Sequence, residues 1–311
     1  MKNKKGIFFT IFVIIVLSLF LFGYTFSTSF KSRESTKSRI TTLNNFVFSI
    51  DEDIPRQLYI SGFRILFLIQ KNVLENGTFV PNIAAAFEEA FFNGTIVGED
   101  SEQIELVMEG AIFSDIVEEI QISANRINAN VSINNPRVYL SQENPWSIKV
   151  TLSSNIFVKD LSDLAIWNKT ENLSAEIPIE GFEDPLYLIY TNSLVSNRII
   201  KSPFATFVSE NDISNLSNHS LNSYYIASTS APSFLKRFEG DFSGDDNGIE
   251  SLVNLAELSS QNLPVNDGSS VVDYLYFFGS NPGCKVITPA GMPGWFRLDA
   301  AHLGTYQVSC V

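Results

Sequence analysis

The hydrophobic pattern changes twice along the chain, and each part predicts a different kind of element. Gly6 to Phe26 is an apolar run of 21 residues without a charge. As a helix it would extend about 31 Å, close to the thickness of the hydrocarbon core of a bilayer. Because a helix pairs its backbone groups within itself, the run predicts a transmembrane helix over residues 6–26. Residues 1–5 are then a basic cytoplasmic segment.

From Ser38 to Glu75 the apolar residues recur at helical spacing. This pattern predicts one amphipathic helix, or two helices with a break near Pro55, ended by Asn76-Gly77. A short helix is predicted over 81–92. A longer one is predicted over 101–128, with its acidic residues on a solvated face. Residues 27–128 are therefore expected to form a juxtamembrane and helical region.

Beyond residue 128 apolar and polar residues alternate, which is typical of strands with one solvated face. We interpret four segments as an antiparallel meander: 130–133, 137–141, 146–159 and 165–180. The pattern after Gly181 is irregular. There we expect a turn at 184–187 that leads into an apolar strand. Further strands are expected at 199–204, 223–227 and 271–278. The other segments are predicted to be a polar loop at 211–222, a helical turn at 232–238 and a short helix or turn at 299–306. The predicted fold class is α+β, with an N-terminal transmembrane helix, amphipathic helices, and a mainly antiparallel β region over 129–311.

Composition favours a folded region outside the cell. The chain is 45% hydrophobic and 13% aromatic, which argues against a disordered stalk. From Thr41 onward 33 acidic residues outnumber 14 basic ones, so we expect no nucleic-acid partner. Basic residues flank the apolar run on both sides, so the positive-inside rule does not fix its orientation. We place the acidic region outside because it would form a solvated acidic surface there.

The cysteines and the glycosylation triplets are compatible with that location. Cys284 and Cys310 are an even pair near the C-terminus. On the outer side of a membrane such a pair favours a disulfide, whereas two free thiols would suit a cytosolic protein. Seven N-x-[ST] triplets provide potential glycosylation acceptors: Asn76, Asn93, Asn130, Asn168, Asn172, Asn215 and Asn218.

Candidate catalytic and metal-binding residues are few. The two histidines, His219 and His302, are far apart in sequence, and none of the common metal, nucleotide or nucleophile motifs occurs. The acidic segment from Asp241 to Glu250 is similar to a calcium loop, but Asp246 stands where an EF-hand requires glycine. We interpret it as a flexible acidic turn. The sequence predicts no catalytic, cofactor-binding or metal-binding residue and no enzyme activity.

The N-terminus resembles a known processing site. Lys4-Lys5-Gly6 followed by Ile7-Phe8-Phe9-Thr10 is similar to the site of type IV pilin-like surface proteins, in particular archaeal ones. The resemblance implies that a prepilin-type peptidase cleaves between Gly6 and Ile7. The helix would then remain on the mature chain as a membrane anchor and as an assembly core for like subunits. Ile11 stands where many bacterial pilins have glutamate, which favours the archaeal type. Many pilins also carry a cysteine pair near the C-terminus.

Three functions are consistent with these observations. The first is a single-pass, membrane-anchored cell-surface protein, a pilin-like structural, adhesion or assembly component. The second is a monomeric ligand-binding or sensing ectodomain on an uncleaved signal anchor. The third is a surface hydrolase whose carboxylates the sequence does not identify. The bulk of the chain is extracytoplasmic in all three, and no cofactor is expected.

Overall fold

The computed structural model describes residues 4–96, 108–279 and 281–310. Its described helices are α1 Lys4–Asn76, α2 Ile83–Asn93, α3 Phe113–Arg126, α4 Pro185–Tyr190, α5 Ser214–Leu221, α6 Phe234–Glu239, α7 Leu255–Ser260 and α8 Asp273–Phe277. Its strands are β1 Ala129–Asn144, β2 Ser147–Asp160, β3 Ile166–Pro178, β4 Tyr225–Ala227, β5 Ile249–Ser251, β6 Cys284–Thr288, β7 Arg297–Leu298 and β8 Ser309–Cys310. This mixture of helices and antiparallel sheets confirms the α+β class in general terms.

The chain divides into two compact units. The first unit comprises Met1–Asp53, Val117–Asn134 and Asn155–Thr170. The second unit comprises Ile54–Ile116, Asn135–Ser154 and Glu171–Val311. Both units are assembled from distant parts of the sequence, so neither is a simple continuous domain.

Helix α1 is one continuous element that contains both the apolar run and the amphipathic stretch. Of the two alternatives for 38–75, the unbroken helix is the one observed, with Pro55 inside it. A proline in a helix interior costs about 3 kcal/mol. Its neighbours Ile54 and Leu58 are completely buried, and their burial offsets that cost. The helix ends where predicted, because Gly77 has φ +63° and its N–H donates to Val73 O at 2.9 Å.

In the first unit two ion pairs fasten α1 to the strands. The Arg39 guanidinium contacts the buried Asp160 carboxylate at 2.5 Å and also donates to Asn128 O. Lys169 Nζ lies 2.5 Å from Asp51 Oδ1. Burial raises the pKa of Asp160, but Arg39 together with the backbone N–H groups of Leu164 and Ser162 outweighs it and holds the pKa below its usual value.

The predicted meander is present as a three-stranded sheet with the order β1-β2-β3. Along β2 every second residue is buried, including Ile148, Val150 and Leu152. This period of two places one face of the sheet in the core, as the sequence predicts. The first two predicted strands are joined in β1, where Asn135 adopts a positive φ next to Pro136.

Several predictions for the helical and irregular regions are wrong. The helix expected over 101–128 is interrupted before α3 by a turn in which Gly110 has φ +71°, while 101–107 lie outside the described residues. The apolar strands expected after 184 and at 271–278 are the helices α4 and α8, and the polar loop at 211–222 contains α5. These apolar runs are too short to distinguish the two-residue period of a strand from the 3.6-residue period of a helix.

Of the other predictions for this region, three agree with the structure and one does not. The strand expected at 223–227 and the helical turn expected at 232–238 are β4 and α6, and residues 300–307 form turns. The strand expected at 199–204 is reduced to isolated bridges, such as Lys201 to Tyr225. In the second unit these short elements surround a core that contains Leu186, Leu252, Val272 and Phe296.

Gly62 of α1 tests how tightly the helix packs on the sheet within the second unit. A methyl group there would lie 3.0 Å from Val150 Cγ2 and closer still to Ile177 Cδ1. We expect Gly62→Val to lower the free energy of unfolding by about 1–3 kcal/mol, because overpacking displaces these side chains. The control Phe67→Val places the same residue on the exposed side of the helix and should cost less than about 1 kcal/mol. Urea unfolding in detergent measures both; equal effects would contradict close packing.

Candidate functional site

The first candidate site is the apolar part of α1. Phe8–Ser27 is the one described segment long and apolar enough to cross a membrane, and none of it is buried. Large apolar side chains such as Phe8, Phe20 and Phe22 are each at least 70% exposed. Gly6 and Ile7, the residues of the predicted cleavage site, lie at the beginning of the same helix. By its length, composition and exposure, the segment could serve as a membrane anchor or a signal sequence.

The two cysteines lie in one small sheet. Strand β6 pairs with β7 on one side and with β8 on the other. Cys284 in β6 and Cys310 in β8 are at disulfide distance, with Cα atoms 5.8 Å apart. This geometry is consistent with the predicted disulfide. It would tie the C-terminal strand to the body of the second unit.

Six of the seven potential glycosylation acceptors have exposed side chains: Asn76, Asn93, Asn130, Asn168, Asn172 and Asn218. Asn215 is half-buried, and its amide nitrogen donates to Thr206 O at 2.9 Å. A glycan attaches through that amide nitrogen. Asn215 would therefore have to give up this hydrogen bond to be modified.

The acidic segment from Asp241 to Glu250 does not have the geometry of a calcium loop. Lys236 Nζ lies 3.9 Å from Asp241 Oδ2 and 3.4 Å from Asp245 Oδ2, where a cation would be required. Glu250 is completely buried in β5 and accepts a hydrogen bond from Tyr306 Oη at 2.9 Å. Among the described residues no group of three or more His, Cys, Asp or Glu could hold a metal ion.

A buried charge network occupies the centre of the second unit. The Arg237 side chain of α6 has no exposed surface and lies 2.6 Å from Asp184 Oδ2 and 3.0 Å from Asp273 Oδ2. Its second terminal nitrogen donates to Ile249 O of β5. Asp184 is also the N-cap of α4, since its side chain accepts from Leu186 N. One guanidinium thus connects α4, α6, α8 and β5.

Hydroxyl groups complete this network. Tyr225 Oη donates to Asp184 Oδ2 at 2.8 Å, and Ser251 Oγ donates to Asp273 Oδ2 at 2.9 Å. Burial raises the pKa of Asp273, against the opposing effect of Arg237. Burial also raises the pKa of Tyr187 and of Tyr225, so both phenols remain neutral donors. The carboxylates are satisfied by protein groups.

A second network lies around His302. Its Nδ1 is 2.8 Å from Asp299, and its Nε2 is 3.2 Å from Glu250. Burial disfavours the imidazolium, but the two carboxylates outweigh it and raise the pKa of His302 to about 10. At Asp299 burial acts to raise the pKa, but His302 together with hydrogen bonds from Ser270 and the Ala301 backbone outweighs it and lowers the pKa to about 2. A charged histidine between two carboxylates is a structural ion cluster, since neither nitrogen is available as a base.

The pKa of the second histidine, His219, is shifted in the opposite direction. His219 is buried between the rings of Phe207 and Tyr306, and its Nδ1 lies 3.1 Å from Ser202 Oγ. Burial lowers its pKa to about 4, with Glu250 acting in the opposite direction. His219 is therefore neutral near pH 7.

Sequence reasoning missed both networks. Asp273 is a lone charge in the apolar stretch Val271-Val272-Asp273-Tyr274, whereas Arg237 and Asp184 each lie next to another charged residue. A charge in such a run is buried and paired more often than a charge in a polar run. That signal could have marked Asp273, but it could not have marked Arg237 or paired the two residues.

Comparison with known proteins supplies no relative. No family model matches the chain, and neither a curated protein nor a solved structure does. The resemblance to pilin-like proteins therefore rests on the N-terminal residues around Gly6 and on the position of the cysteines.

Arg237 tests the role of the central network. Arg237→Met leaves Asp184 and Asp273 buried without their cation, so we expect a loss of about 3–5 kcal/mol in unfolding free energy. The adjacent Lys236 makes only partly exposed ion pairs, and Lys236→Met should cost less than about 1 kcal/mol. Unfolding by urea measures both, and an unchanged stability of the Arg237 variant would show that the network does not organise the unit.

The two histidines predict opposite pH dependences. The pKa of His302 is raised from 6.5 to about 10, so the stabilisation that its charge provides is complete below pH 6.5 and is lost as pH rises through 10. The pKa of His219 is lowered from 6.5 to about 4, so the protein loses stability as pH falls from 6.5 to 4. We expect the difference in Tm between wild type and His302→Gln to shrink from pH 6.5 to 10. The Tm of His219→Phe should rise relative to that of wild type as the pH falls from 6.5 to 4. If the curve of Tm against pH for either variant runs parallel to that of wild type, the pKa shift assigned to that histidine is wrong.

Proposed function

We propose that the chain is a single-pass, membrane-anchored cell-surface protein, a pilin-like structural, adhesion or assembly component. The observation that carries this proposal is the exposure of Phe8–Ser27 at the start of a helix that continues without interruption to Asn76. An apolar surface of this extent is unstable in water. A bilayer, or the corresponding helices of like subunits, would cover it.

The continuity of α1 supports an anchor that is kept in the mature protein. A secretory signal is removed, so it has no reason to share a helix with the folded region that follows. Here the residues of α1 beyond the apolar segment include Leu43, Ile50, Ile54 and Leu58, all of which are buried. Cleavage after Gly6 would preserve this arrangement, because it removes only the residues before the apolar segment.

The outer part of α1 also supports assembly with like subunits. Within the second unit Tyr59, Phe63, Phe67 and Leu74 are each between 42% and 47% exposed. Their spacing of four, four and seven residues places them on one side of the helix. Phe63 packs at one edge against Phe182, with ring centroids 5.2 Å apart. The exposed area that remains is a surface on which the helix of a second copy could pack.

The location of the folded region outside the cell is supported by two features. Cys284 and Cys310 are at disulfide distance, and disulfides persist in oxidising surroundings. Most of the potential glycosylation acceptors are exposed. Processing at Gly6 would require a prepilin-type peptidase as a partner. The mature helix could then assemble with identical subunits.

Processing is tested on protein from its own membranes by intact mass and N-terminal sequence. We expect a mature chain that begins at Ile7. Gly6→Leu should abolish cleavage, because the peptidase recognises glycine before the cut, while the apolar helix still inserts into the membrane. Gly23→Leu is the matched control, since a side chain at Gly23 meets nothing within 4 Å, and it should be processed normally.

Two results would contradict the proposal. A wild-type chain that begins at Met1 would indicate an uncleaved anchor. An unchanged mature mass in the Gly6→Leu variant would show that cleavage, if any, does not depend on this glycine.

A further inference from the structure

Two cavities flank the short helix α8 on the surface of the second unit. The larger has a volume of about 610 Å³ and is lined by Gly240, Asp241, Phe242, Ser243, Tyr274, Leu275, Phe278, Gly279 and Asn281. The smaller has a volume of about 240 Å³, and Tyr190, Asn266 and Phe277 are among its lining residues. The larger volume lies within the range of about 300–1,000 Å³ that is typical of small-molecule sites.

A row of aromatic rings connects the two cavities. Phe242 and Phe278 stack with centroids 4.5 Å apart and planes 22° apart. Tyr190 and Phe277 stack at 5.3 Å and 14°, and Tyr190 also approaches Phe242 at 6.3 Å. Phe278 is 55% exposed and Tyr190 is 38% exposed, although both belong to a folded aromatic cluster. The cluster therefore presents aromatic surface to solvent.

Polar groups in fixed positions border the rings of the larger cavity. Asp241 Oδ1 accepts from Ser243 N at 2.9 Å, which orients the carboxylate. The Asn281 amide nitrogen donates to Leu275 O and to Phe278 O, each at 2.8 Å, and so fixes the chain that carries the Phe278 ring. The hydroxyl of Ser243 is a further group at this border, 3.1 Å from Lys236 Nζ. None of the described residues that line either cavity is Lys or Arg.

We propose that this aromatic groove binds a neutral sugar ring. A pyranose has a flat face of C–H groups and a rim of hydroxyls. The C–H face would stack on the exposed surface of Phe278, because the face of an aromatic ring is electronegative and attracts polarised C–H groups. The rim hydroxyls would donate to Asp241 and to the amide oxygen of Asn281, and would exchange hydrogen bonds with Ser243.

The same features disfavour two other kinds of ligand. A phosphorylated or otherwise anionic ligand would meet the Asp241 carboxylate, and the adjacent Lys236 is already paired with Asp241 and Asp245, on a chain with a net charge of −13. A quaternary ammonium ion is bound best by rings that surround it. Here Phe242 and Phe278 stack on each other nearly parallel and do not surround a cation. The inference goes beyond the proposed anchoring function and does not depend on processing at Gly6.

The test uses the full chain in a polyoxyethylene detergent, because alkyl glycoside and choline-based detergents would compete for the groove. Saturation-transfer difference NMR is recorded with methyl glucoside, methyl mannoside and methyl galactoside, and separately with tetramethylammonium chloride. We expect saturation of the C–H protons of at least one glycoside. Phe278→Ala should weaken that binding by about tenfold, as loss of a stacking ring does elsewhere.

Asp241→Asn is the second variant, and it should weaken glycoside binding severalfold because an amide is a poorer acceptor than a carboxylate. The matched control is Tyr139→Ala, which removes a ring that is 51% exposed outside the groove and should leave binding unchanged. Thermal melting verifies that all three variants fold. The proposal is overturned if no glycoside is saturated, if Phe278→Ala binds like wild type, or if only tetramethylammonium gives a signal.

Discussion

A guanidinium without any exposed surface has to be neutralised inside the protein, and Arg237 meets this requirement through Asp184 and Asp273. From Pro185 onward the described elements are helices of five to eight residues and strands of two to five. Elements so short make few backbone hydrogen bonds of their own, so side chains have to fix their positions. The Arg237 network does this for α4, α6, α8 and β5 at once. A buried ion pair often contributes little net stability, and here we infer that it mainly specifies the arrangement.

The position of α8 illustrates how this network supports the surface. Asp273 begins the helix, and its carboxylate is held by Arg237, by the Ser251 hydroxyl and by the backbone N–H of Tyr274. The rest of α8 then carries Tyr276 and Phe277 outward to the aromatic row. The rings at the groove are therefore placed by charges in the interior, so the groove is preorganised and a ligand would not have to order it.

Strongly shifted pKa values often mark active sites, but here their causes are structural. His302 is flanked by carboxylates at both ring nitrogens, which leaves no nitrogen to act as a base. His219 is neutral because it is buried among aromatic rings. The pKa values of the two histidines shift in opposite directions. His302 therefore keeps its positive charge in mild alkali, whereas the neutral ring of His219 loses its stabilising effect as the pH falls.

The sequence by itself determined the features that depend on local pattern. The apolar run before Phe26, the end of α1 at Gly77 and the alternation along β2 follow from composition, from the φ that glycine allows and from a period of two. Tertiary structure alone decided the rest. Pro55 stays within α1 because buried neighbours offset its cost, and the run around Asp273 is a helix because Arg237 holds its first residue. The buried networks and the groove bring together residues far apart in the chain, and pairings of that kind depend on packing that no local pattern encodes.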